Sequence, residues 1–573
     1  MTEPPQDDKA PPRPSRLARW LLGGGVALVA AFGLWLALRP QAPTATTTTT
    51  QPISTTTGVT TTESTATTAA LTTTVPATVS TTLPPPAPTV ATYDVVVVGE
   101  GLGGASAAVA AGRLGANVAL LSPIGYLGGQ AGAAGVSTMD EGSNVFVQRR
   151  SGIYGELASF AQAIYGPDVG DCYFIEDSMC PEPVMVDGFL RGLVSEAGVD
   201  LIPMTVIDDV LQEGNKVTGI MVDGSTYNAE VLIDATEFSD LYPSIEGLSY
   251  EVGGTGGCVQ DTTWLAIRAW YPQGPAEAFI PPETTAQDLY DIYGTELDGW
   301  LDEFRSTVVR VPNREPSGPS VVPWDLATET RYRALADRRD FSLVNNVPEI
   351  TRTGVNYAND YPLTAAAIED FAVRESEFRA ALHKTYAFLW YLRWELGVTE
   401  WGVDFGQEYG KAQRMLWDEL IPDDLERNLP PYPYVREGRR LAAVQTLGPE
   451  DLTNEVRGFH RFDDSVMLGG YFSDFHGCLE EGAGQGFGLF EVPMGVFIPE
   501  TIDGFMPGMA RAAGVSRLAA SAVRTQPEEI WSGEAIGIIA ALAARDDVEV
   551  RNVGPAEVQQ HLLANDLIFF LPG

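Results

Sequence analysis

Three glycines spaced as Gly-x-Gly-x-x-Gly have the pattern of a turn that binds the pyrophosphate of a dinucleotide. They are Gly99, Gly101 and Gly104, and Gly103 lies in the same turn. In this pattern the first glycine permits a tight turn, and the second lets phosphates approach the backbone. The third lets a helix pack closely on a strand. The motif alone is weak evidence, because tight glycine turns also occur in other α/β sheets.

The segments on either side of the glycines predict the elements that would position them. Residues 93–98 (YDVVVV) form a β-branched run typical of a buried strand, and an alanine-rich helix is predicted after the turn. Residues 117–122 (NVALLS) predict a second strand. N–H groups at the start of such a helix can bind phosphate. Because the motif lies in this strand–turn–helix–strand order, the sequence predicts a nucleotide site, which the glycines alone would not.

The end of the second predicted strand departs from the usual pattern. Ser122 lies where an acidic residue usually accepts hydrogen bonds from the ribose of NAD or FAD. A serine offers only a neutral hydrogen bond. The motif therefore does not by itself identify the nucleotide.

Later glycine-containing segments favour FAD. Gly128, Gly129 and Gln130 follow the second strand, and a flexible glycine pair suits close approach to a bulky cofactor. A helix is predicted to open within residues 533–537 (GEAIG). Its positive N-terminal end would face a reduced flavin.

Several segments in the same order resemble FAD-dependent oxidoreductases of the glutathione-reductase-like superfamily, in particular a branch with an LGGQ…GVS…DE signature. The resemblance covers nearly all of residues 93–570. Its further segments are YGEL (154–157), DATEFSDL (234–241), NDYPL (359–363), YVREGRR (434–440), GGYFSDFHG (469–477), VPMGVFIP (492–499) and SGEAIG (532–537). The resemblance implies an α/β fold with a discontinuous, Rossmann-like FAD-binding domain at 93–250 and 434–545. A substrate-binding, largely helical domain is expected at 251–433, and a C-terminal helical tail at 546–573.

The resemblance also implies which residues contact FAD. Adenine is expected near the backbone of Val206, and the pyrophosphate at the glycine turn. The complete set of expected contacts is Gly99, Gly101, Gly103, Gly104, Ser122, Gly128, Gly129, Gln130, Val206, Thr236, Gly508, Gly533, Ala535 and Gly537.

Two residues are the candidates for catalysis. His476 lies close to Asp474 in SDFHGC, and an imidazole that titrates near neutral pH can act as a base. The alternative is a structural or adenine-side histidine. Arg436 is a candidate clamp for a substrate carboxylate or the FAD phosphates, and an ordinary salt bridge is its alternative. The aromatic run at 386–401 fits either a sugar-binding wall or a domain core.

The N-terminal part of the chain predicts a membrane anchor and a stalk. Residues 20–38 carry no charge and are long enough to cross a hydrocarbon core of about 30 Å, between Arg19 and Arg39. The positive charges within residues 1–19 place that tail in the cytoplasm and the rest outside. A cleaved signal peptide is the alternative. Residues 40–92, rich in Thr and Pro, predict a disordered stalk.

Composition argues against several other classes of protein. With 36 Lys and Arg against 76 Asp and Glu, the net charge of −40 argues against a nucleic-acid partner. Four scattered histidines and four cysteines without a CxxC pair predict no metal site. Cys172 and Cys180 are the local candidates for a disulfide, although sequence cannot assign the pairing. The glycine-rich segments 252–257 and 482–488 lack a strand–turn–helix frame, so no separate NAD(P)H domain is expected.

The sequence therefore predicts a membrane-anchored, extracytoplasmic oxidoreductase that uses FAD. Hydride transfer is expected between FAD and a small organic substrate, with carbohydrate-like molecules among the candidates. A separate electron acceptor, either O2, a quinone or a protein, is expected. The opposing hypothesis is a non-catalytic surface binding protein on a degenerate flavoprotein fold.

Overall fold

The computed structural model of the protein describes six stretches of the chain. They are residues 88–142, 151–166, 179–310, 324–337, 350–452 and 460–571. In these stretches no helix has both the length and the apolar character needed to cross a membrane. The predicted span at 20–38 and the stalk up to residue 87 lie outside the described residues and stay predictions.

Sixteen strands are formed by the described residues. In chain order they are β1 (Val90–Val98), β2 (Val118–Ser122), β3 (Asp200–Pro203), β4 (Ile207–Glu213), β5 (Lys216–Val222), β6 (Ser225–Asp234), β7 (Tyr250–Val252), β8 (Ala266–Trp270), β9 (Val308–Val309), β10 (Trp324–Asp325), β11 (Arg352–Val355), β12 (Trp401–Val403), β13 (Arg439–Leu441), β14 (Ser465–Gly469), β15 (Phe490–Pro493) and β16 (Phe505–Pro507).

Twelve α-helices accompany these strands in the described ranges. They are α1 (Leu102–Arg113), α2 (Gly152–Tyr165), α3 (Pro183–Glu196), α4 (Thr285–Tyr293), α5 (Thr295–Thr307), α6 (Leu326–Tyr332), α7 (Ala365–Glu369), α8 (Phe371–Trp390), α9 (Asp423–Glu426), α10 (Arg517–Ala522), α11 (Gln526–Asp546) and α12 (Pro555–Ala564).

The largest sheet has the strand order β3-β2-β1-β6-β5-β4, with β16 also paired to β6. Strands β3, β2, β1, β6 and β16 run parallel to one another, whereas β5 pairs antiparallel with β6 and β4 pairs antiparallel with β5. The first part of β6 pairs with β5, and its last residues, Leu232 to Asp234, pair with β16. The chain thus returns to this sheet after a long intervening segment. The predicted α/β, Rossmann-like fold is confirmed, while the domain boundaries stay predictions.

Strand β1 begins earlier than predicted. Residues 95–98 are fully buried valines, as expected for a central parallel strand. The strand also includes Val90, Ala91 and Thr92, which pair in parallel with the first part of β6. The prediction of a stalk extending to residue 92 was therefore wrong at its end. Residues 90–92 are ordered as a strand because they pair with β6, and the Thr- and Pro-rich composition does not predict this pairing.

A second hydrophobic core lies in the segment predicted to be inserted. A three-stranded antiparallel sheet of order β11-β8-β12 and helices α4, α5 and α8 contribute to it. Tyr386, Phe388 and Tyr391 from the aromatic run are buried in this core. Helix α8 continues as a wider helical turn through Glu395. The buried members of the run thus form a domain core, and they do not line a sugar-binding wall.

The C-terminal region is less helical than predicted. After α12, Leu567, Phe569 and Leu571 are buried without forming a helix. The N–H of Leu571 donates to Glu491 at 2.8 Å, and Ser465 donates to the carbonyl of Phe569. The prediction of a helical tail holds for α12 and is wrong for the residues after it, because they pack against β14 and β15.

Candidate functional site

The glycine turn between β1 and α1 has the geometry that the motif predicts. Gly99 adopts φ +106°, and a Cβ there would lie 2.4 Å from the carbonyl oxygen of Ala235. A Cβ on Gly104 would lie 2.1 Å from the carbonyl oxygen of Gly99. At Gly101 the nearest atom to such a Cβ is a Glu237 oxygen at 3.5 Å, an ordinary contact. Gly99 and Gly104 are therefore required by the fold, whereas Gly101 leaves room for a ligand.

Gly103 and Gly508 have a packing role in the structure. A Cβ on Gly103 would lie 2.3 Å from the carbonyl oxygen of Gly508. A Cβ on Gly508 would lie 2.4 Å from the Cβ of Ala235, at the end of β6. Because Gly103 and Gly508 have no side chains, α1 can pack directly on the ends of β16 and β6. Protein packing alone thus explains a glycine at position 508, and the expected contact of Gly508 with FAD stays a prediction.

The prediction that a helix begins at Gly533, Ala535 and Gly537 was wrong, whereas their expected contact with FAD stays a prediction. Helix α11 begins at Gln526, so these three buried residues lie inside the helix and do not form its start. A Cβ on Gly533 would lie 2.2 Å from the carbonyl oxygen of Gly103, and one on Gly537 would lie 2.1 Å from that of Ala107. The two glycines let the backbones of α1 and α11 meet.

The positive end of α11 lies at a different place in the sequence from the one predicted. The Gln526 side chain donates to the carbonyl of Val136 at 3.0 Å and accepts the N–H of Asp140 at 2.9 Å. The start of α11 thus lies beside the segment that follows Gln130. Thr525 is the N-cap of α11 and Pro527 lies in its first turn. Both residue types are typical of a helix start at these positions, so the sequence does mark the start of α11.

The glycine pair after β2 adjoins the nucleotide turn. Gly128 and Gly129 adopt φ +99° and +45°, and a Cβ on Gly129 would lie 2.9 Å from the Cα of Gly101. Gln130 is buried, and its Nε2 donates to the carbonyl of Arg524 at 2.8 Å. Its Oε1 has no partner among the described residues. The turn and the glycine pair, both expected to bind FAD, therefore lie together, and the segment leading into α11 lies beside them.

An arginine and a glutamate that the sequence did not single out lie at this junction. An oxygen of Glu237 is 2.9 Å from the Cβ position on Gly129, and Arg511 donates to Glu237 at 2.6 Å. Arg511 also donates to Glu529 at 2.9 Å. Burial raises the pKa of Glu237 to about 7 despite the Arg511 charge. A glutamate that is easily protonated reduces the repulsion of a bound pyrophosphate.

Thr236 and Val206, two other residues expected to contact FAD, form hydrogen bonds with nearby aspartates. The N–H and hydroxyl of Thr236 donate to Asp234 at 3.0 and 2.7 Å, at the end of β6. The N–H of Val206 donates to Asp223 at 3.0 Å, and its carbonyl accepts the Asp223 N–H at 3.1 Å. An adenine contact at Val206 would thus use the second lone pair of its carbonyl or its exposed side chain.

A glutamate lies beside the serine at the end of β2. Glu100 is buried, and one of its carboxyl oxygens accepts the N–H groups of Ile124 at 2.7 Å and Gly125 at 3.0 Å. The hydroxyl of Ser122 accepts the same Gly125 N–H at 3.2 Å. Burial raises the pKa of Glu100 to about 7, against hydrogen bonds that lower it.

His476 lies between two carboxylates. Its Nδ1 is 2.5 Å from an oxygen of Asp360, and its Nε2 is 3.6 Å from Asp474. Burial and the charge of Arg436 lower the pKa of His476, but Asp360 and Asp474 outweigh them and the net shift is upward. Tyr357, at an unusual φ of +90°, places its ring edge-to-face with the imidazole at 6.1 Å. Such backbone conformations are often found at functional sites.

The guanidinium of Arg436 is largely committed to protein groups. It donates to the carbonyl of Asp261 at 2.7 Å and to Asp360 at 3.3 Å. Burial raises the pKa of Asp360, but Arg436 and His476 outweigh it and hold this pKa below its ordinary range. The arrangement supports the salt-bridge alternative for Arg436, in which it fixes the carboxylate that orients His476.

A continuous polar path joins this cluster to the cofactor segments. Arg524 donates to Asp474 at 2.8 Å, and the carbonyl of Arg524 accepts the Gln130 side chain. Cys478 forms a disulfide with Cys258, and the carbonyl of His476 accepts the Asp261 N–H at 2.8 Å. These bonds fasten the loop of His476 to the rest of the site. The predicted Cys172–Cys180 pair includes a residue outside the described ranges and stays a prediction.

The residues at the turn fit FAD. Gly101 leaves space beside the backbone, and Glu100 and Gln130 each carry a buried oxygen without a partner in the described part of the chain. Hydroxyl and N–H groups of a dinucleotide cofactor can satisfy such acceptors. Among the described residues, no group of three or more histidine, cysteine, aspartate or glutamate side chains is placed to hold a metal ion.

Comparison with known proteins agrees with this fit. The model of the FAD dependent oxidoreductase family matches residues 94–562. No curated protein sequence is significantly similar to the chain.

Similar solved structures include a geranylgeranyl bacteriochlorophyll reductase-like protein from Thermoplasma acidophilum, at 21% identity and TM-score 0.21, over 33% of this chain and 49% of that one. An FAD dependent oxidoreductase from Pseudomonas aeruginosa is 16% identical with TM-score 0.21, over 32% and 57%. L-proline dehydrogenase from P. horikoshii is 14% identical with TM-score 0.24, over 32% and 62%. The match thus spans from about half to three fifths of each of these structures.

The family match extends from β1 through most of α12 and includes the glycine turn, β6, the His476 loop and α11. The chain belongs to the FAD-dependent oxidoreductase family, and its cofactor is FAD.

Proposed function

We propose that the protein oxidises a small organic substrate by hydride transfer to FAD, with His476 as the base. The observation that carries this proposal is the polar path from Gln130 through Arg524 and Asp474 to His476. It links a titratable side chain to the segments that fit the cofactor. The expected substrate has a hydroxyl or amine group on the carbon that loses the hydride, and carbohydrate-like molecules are among the candidates.

The hydrogen bond with Asp360 gives His476 a defined role. When Nδ1 donates its proton to Asp360, Nε2 is the nitrogen that can accept another proton. Bound FAD would accept the hydride, which carries both electrons, from the substrate carbon. Nε2 of His476 takes the proton from the substrate hydroxyl or amine. Only neutral imidazole can do this, so the upward shift of the His476 pKa predicts that activity increases with pH, and does so at higher pH than for an ordinary histidine.

We propose further that the enzyme is anchored by residues 20–38 and acts outside the cytoplasm. The uncharged segment between Arg19 and Arg39 supports the anchor. The Cys258–Cys478 disulfide supports an oxidising compartment, because structural disulfides are rare in the cytosol. A separate acceptor, either O2, a quinone or a protein, would complete the cycle.

An absorption spectrum of the purified full-length chain is the first test of the reaction. Flavin bands should persist through desalting, and an anaerobic panel of alcohols, sugars and amines should contain a substrate that bleaches them. The His476→Gln variant should keep the bands and bleach far more slowly. A folded protein that holds no flavin, even after incubation with FAD, would contradict the proposal and favour a surface binding role.

Protease accessibility tests the location. In intact cells, added protease should cleave the chain outside the membrane and leave a fragment containing residues 1–38 in the membrane fraction. Full protection in intact cells, with cleavage only after lysis, would place the enzyme in the cytoplasm and contradict this part of the proposal.

A further inference from the structure

The end of β2 presents a problem for a dinucleotide site. A carboxylate usually lies there and accepts hydrogen bonds from the adenosine ribose. In this chain Ser122 ends the strand, and a serine hydroxyl supplies no charge. Either the ribose is held by a neutral group, or a carboxylate reaches the same place from another element.

Glu100 places a carboxylate at this position. It belongs to the turn after β1, yet its Oε1 accepts the N–H groups of Ile124 and Gly125, which follow β2. The Gly125 N–H is shared between Glu100 and the hydroxyl of Ser122. Because one N–H contacts both side chains, the Glu100 carboxylate lies next to the position that an acidic side chain at residue 122 would use.

The second oxygen of Glu100 is available for a ligand. Its Oε2 is buried and has no hydrogen-bond partner among the described residues, and Glu100 as a whole is only 4% exposed. A buried acceptor without a donor is costly, so such atoms usually serve a ligand or a bound water. Glu100 lies between Gly99 and Gly101, the glycines that bring the pyrophosphate and the attached ribose close to the backbone.

We propose that Glu100 replaces the missing acidic residue of β2 and accepts a hydrogen bond from a ribose hydroxyl in the adenosine half of FAD. The carboxylate is supplied by the phosphate-binding turn, and Ser122 together with the N–H groups of Ile124 and Gly125 holds it in place. The inference rests on FAD binding and does not depend on the proposed reaction of His476.

Binding of FAD and of two analogues tests the inference without measuring activity. The analogues lack the 2′- or the 3′-hydroxyl of the adenosine ribose. Dissociation constants are measured by flavin fluorescence with the full-length chain after removal of its cofactor. Wild type should bind one of the analogues about 10- to 100-fold more weakly than FAD, as expected for a lost hydrogen bond to a charged group. In Glu100→Ala, FAD should bind more weakly by a similar factor, and the discrimination against that analogue should disappear.

Glu534→Gln is the matched control. Glu534 is also a buried carboxyl that accepts a backbone N–H, from Ile153 at 3.0 Å, but its other oxygen accepts the Asn565 side chain at 3.0 Å, so both oxygens have protein partners outside the turn. This variant should bind FAD and both analogues as wild type does. The inference is overturned if Glu100→Ala keeps the wild-type discrimination, or if wild type does not discriminate at all. Absence of FAD binding by folded wild type would instead overturn the proposed function and the inference together.

Discussion

The nucleotide turn and the His476 cluster are built in opposite ways. The turn is made by backbone from one short stretch, residues 99–104, together with the adjoining Gly129. The cluster around His476 is made by charged side chains from segments far apart in the chain. A backbone site needs particular residue types at fixed spacing, so it leaves a pattern in the sequence. A side-chain cluster depends on which loops meet, so residues contributed by distant loops leave no local pattern.

The pKa values of carboxyl groups are also shifted in opposite directions in the two regions. Near the turn, burial raises the pKa of Glu100, Asp234 and Glu237 to about 7 in each case. In the cluster, cationic neighbours hold the pKa values of Asp360 and Asp474 below their ordinary range. At neutral pH the carboxyls of the first region are therefore close to the midpoint of their ionisation, whereas those of the second stay charged in ion pairs.

The largest expected effect concerns the cluster. His476→Gln should lower kcat by about 100- to 10,000-fold, the usual contribution of a general base, while FAD remains bound. His460→Gln is the matched control, because His460 also pairs with an aspartate, Asp451, but its side chain is half exposed. Steady-state kinetics and the flavin spectrum check both variants. An equal loss of kcat in both, or normal kcat in His476→Gln, would contradict a chemical role for the cluster.

The next effect concerns glycines that serve packing. Gly537→Ala should lower the free energy of unfolding by about 1–3 kcal/mol, because the new Cβ would lie 2.1 Å from the Ala107 carbonyl oxygen. Gly192→Ala, in α3, is the control, since nothing lies within 4 Å of its Cβ position. That change should stabilise the protein by up to about 1 kcal/mol through helix propensity. Denaturant unfolding measures both. Equal effects would contradict the close contact of α1 and α11.

Gly101→Ala should weaken FAD binding without lowering the free energy of unfolding, whereas Gly537→Ala lowers the free energy of unfolding. Gly101 adopts φ −58° and its Cβ position has no contact closer than 3.5 Å, so unfolding should be unchanged. The methyl group would occupy space that the pyrophosphate approaches, and FAD affinity should fall about 10- to 100-fold, or about 1.4–2.8 kcal/mol. Titration with FAD measures this. A lower free energy of unfolding with unchanged FAD affinity would show that Gly101 is needed for packing and not for the approach of FAD.

These glycines show how far sequence reasoning extends. The turn at Gly99, Gly101 and Gly104 was predictable because strand, spacing and helix agree. Gly533 and Gly537 carry the same residue type for another reason, and only tertiary contact distinguishes helix packing from ligand approach.

In the cluster, His476 and its neighbour Asp474 were predictable from their local segment. Asp360 and Arg524 were not, because they reach the imidazole through folding of distant segments. The start of α11 at Gln526 was missed although the following proline marks it. The burial of the aromatic run in a core was the favoured prediction, because aromatic residues at helical spacing are more typical of a core than of a binding wall.

The smallest expected effect tests the opposite titration of the two regions. Asp234 has a folded-state pKa of about 7, raised by burial, so its contribution to stability is complete below its unfolded pKa and is lost as pH rises towards 7. Asp474 has a folded-state pKa below its ordinary range, because His476 and Arg524 outweigh burial. Its contribution is present at neutral pH and is lost as pH falls below about 4.

Asp234→Asn should therefore flatten the fall in unfolding free energy between about pH 4 and 7, and Asp474→Asn should flatten the fall at more acidic pH. Urea unfolding of the cofactor-free chain from pH 3 to 8 measures both profiles. Parallel changes in the two variants would mean that burial alone governs both carboxyls. Changes in opposite pH ranges would instead show that ion pairing sets the charge of the cluster while burial sets that of the turn.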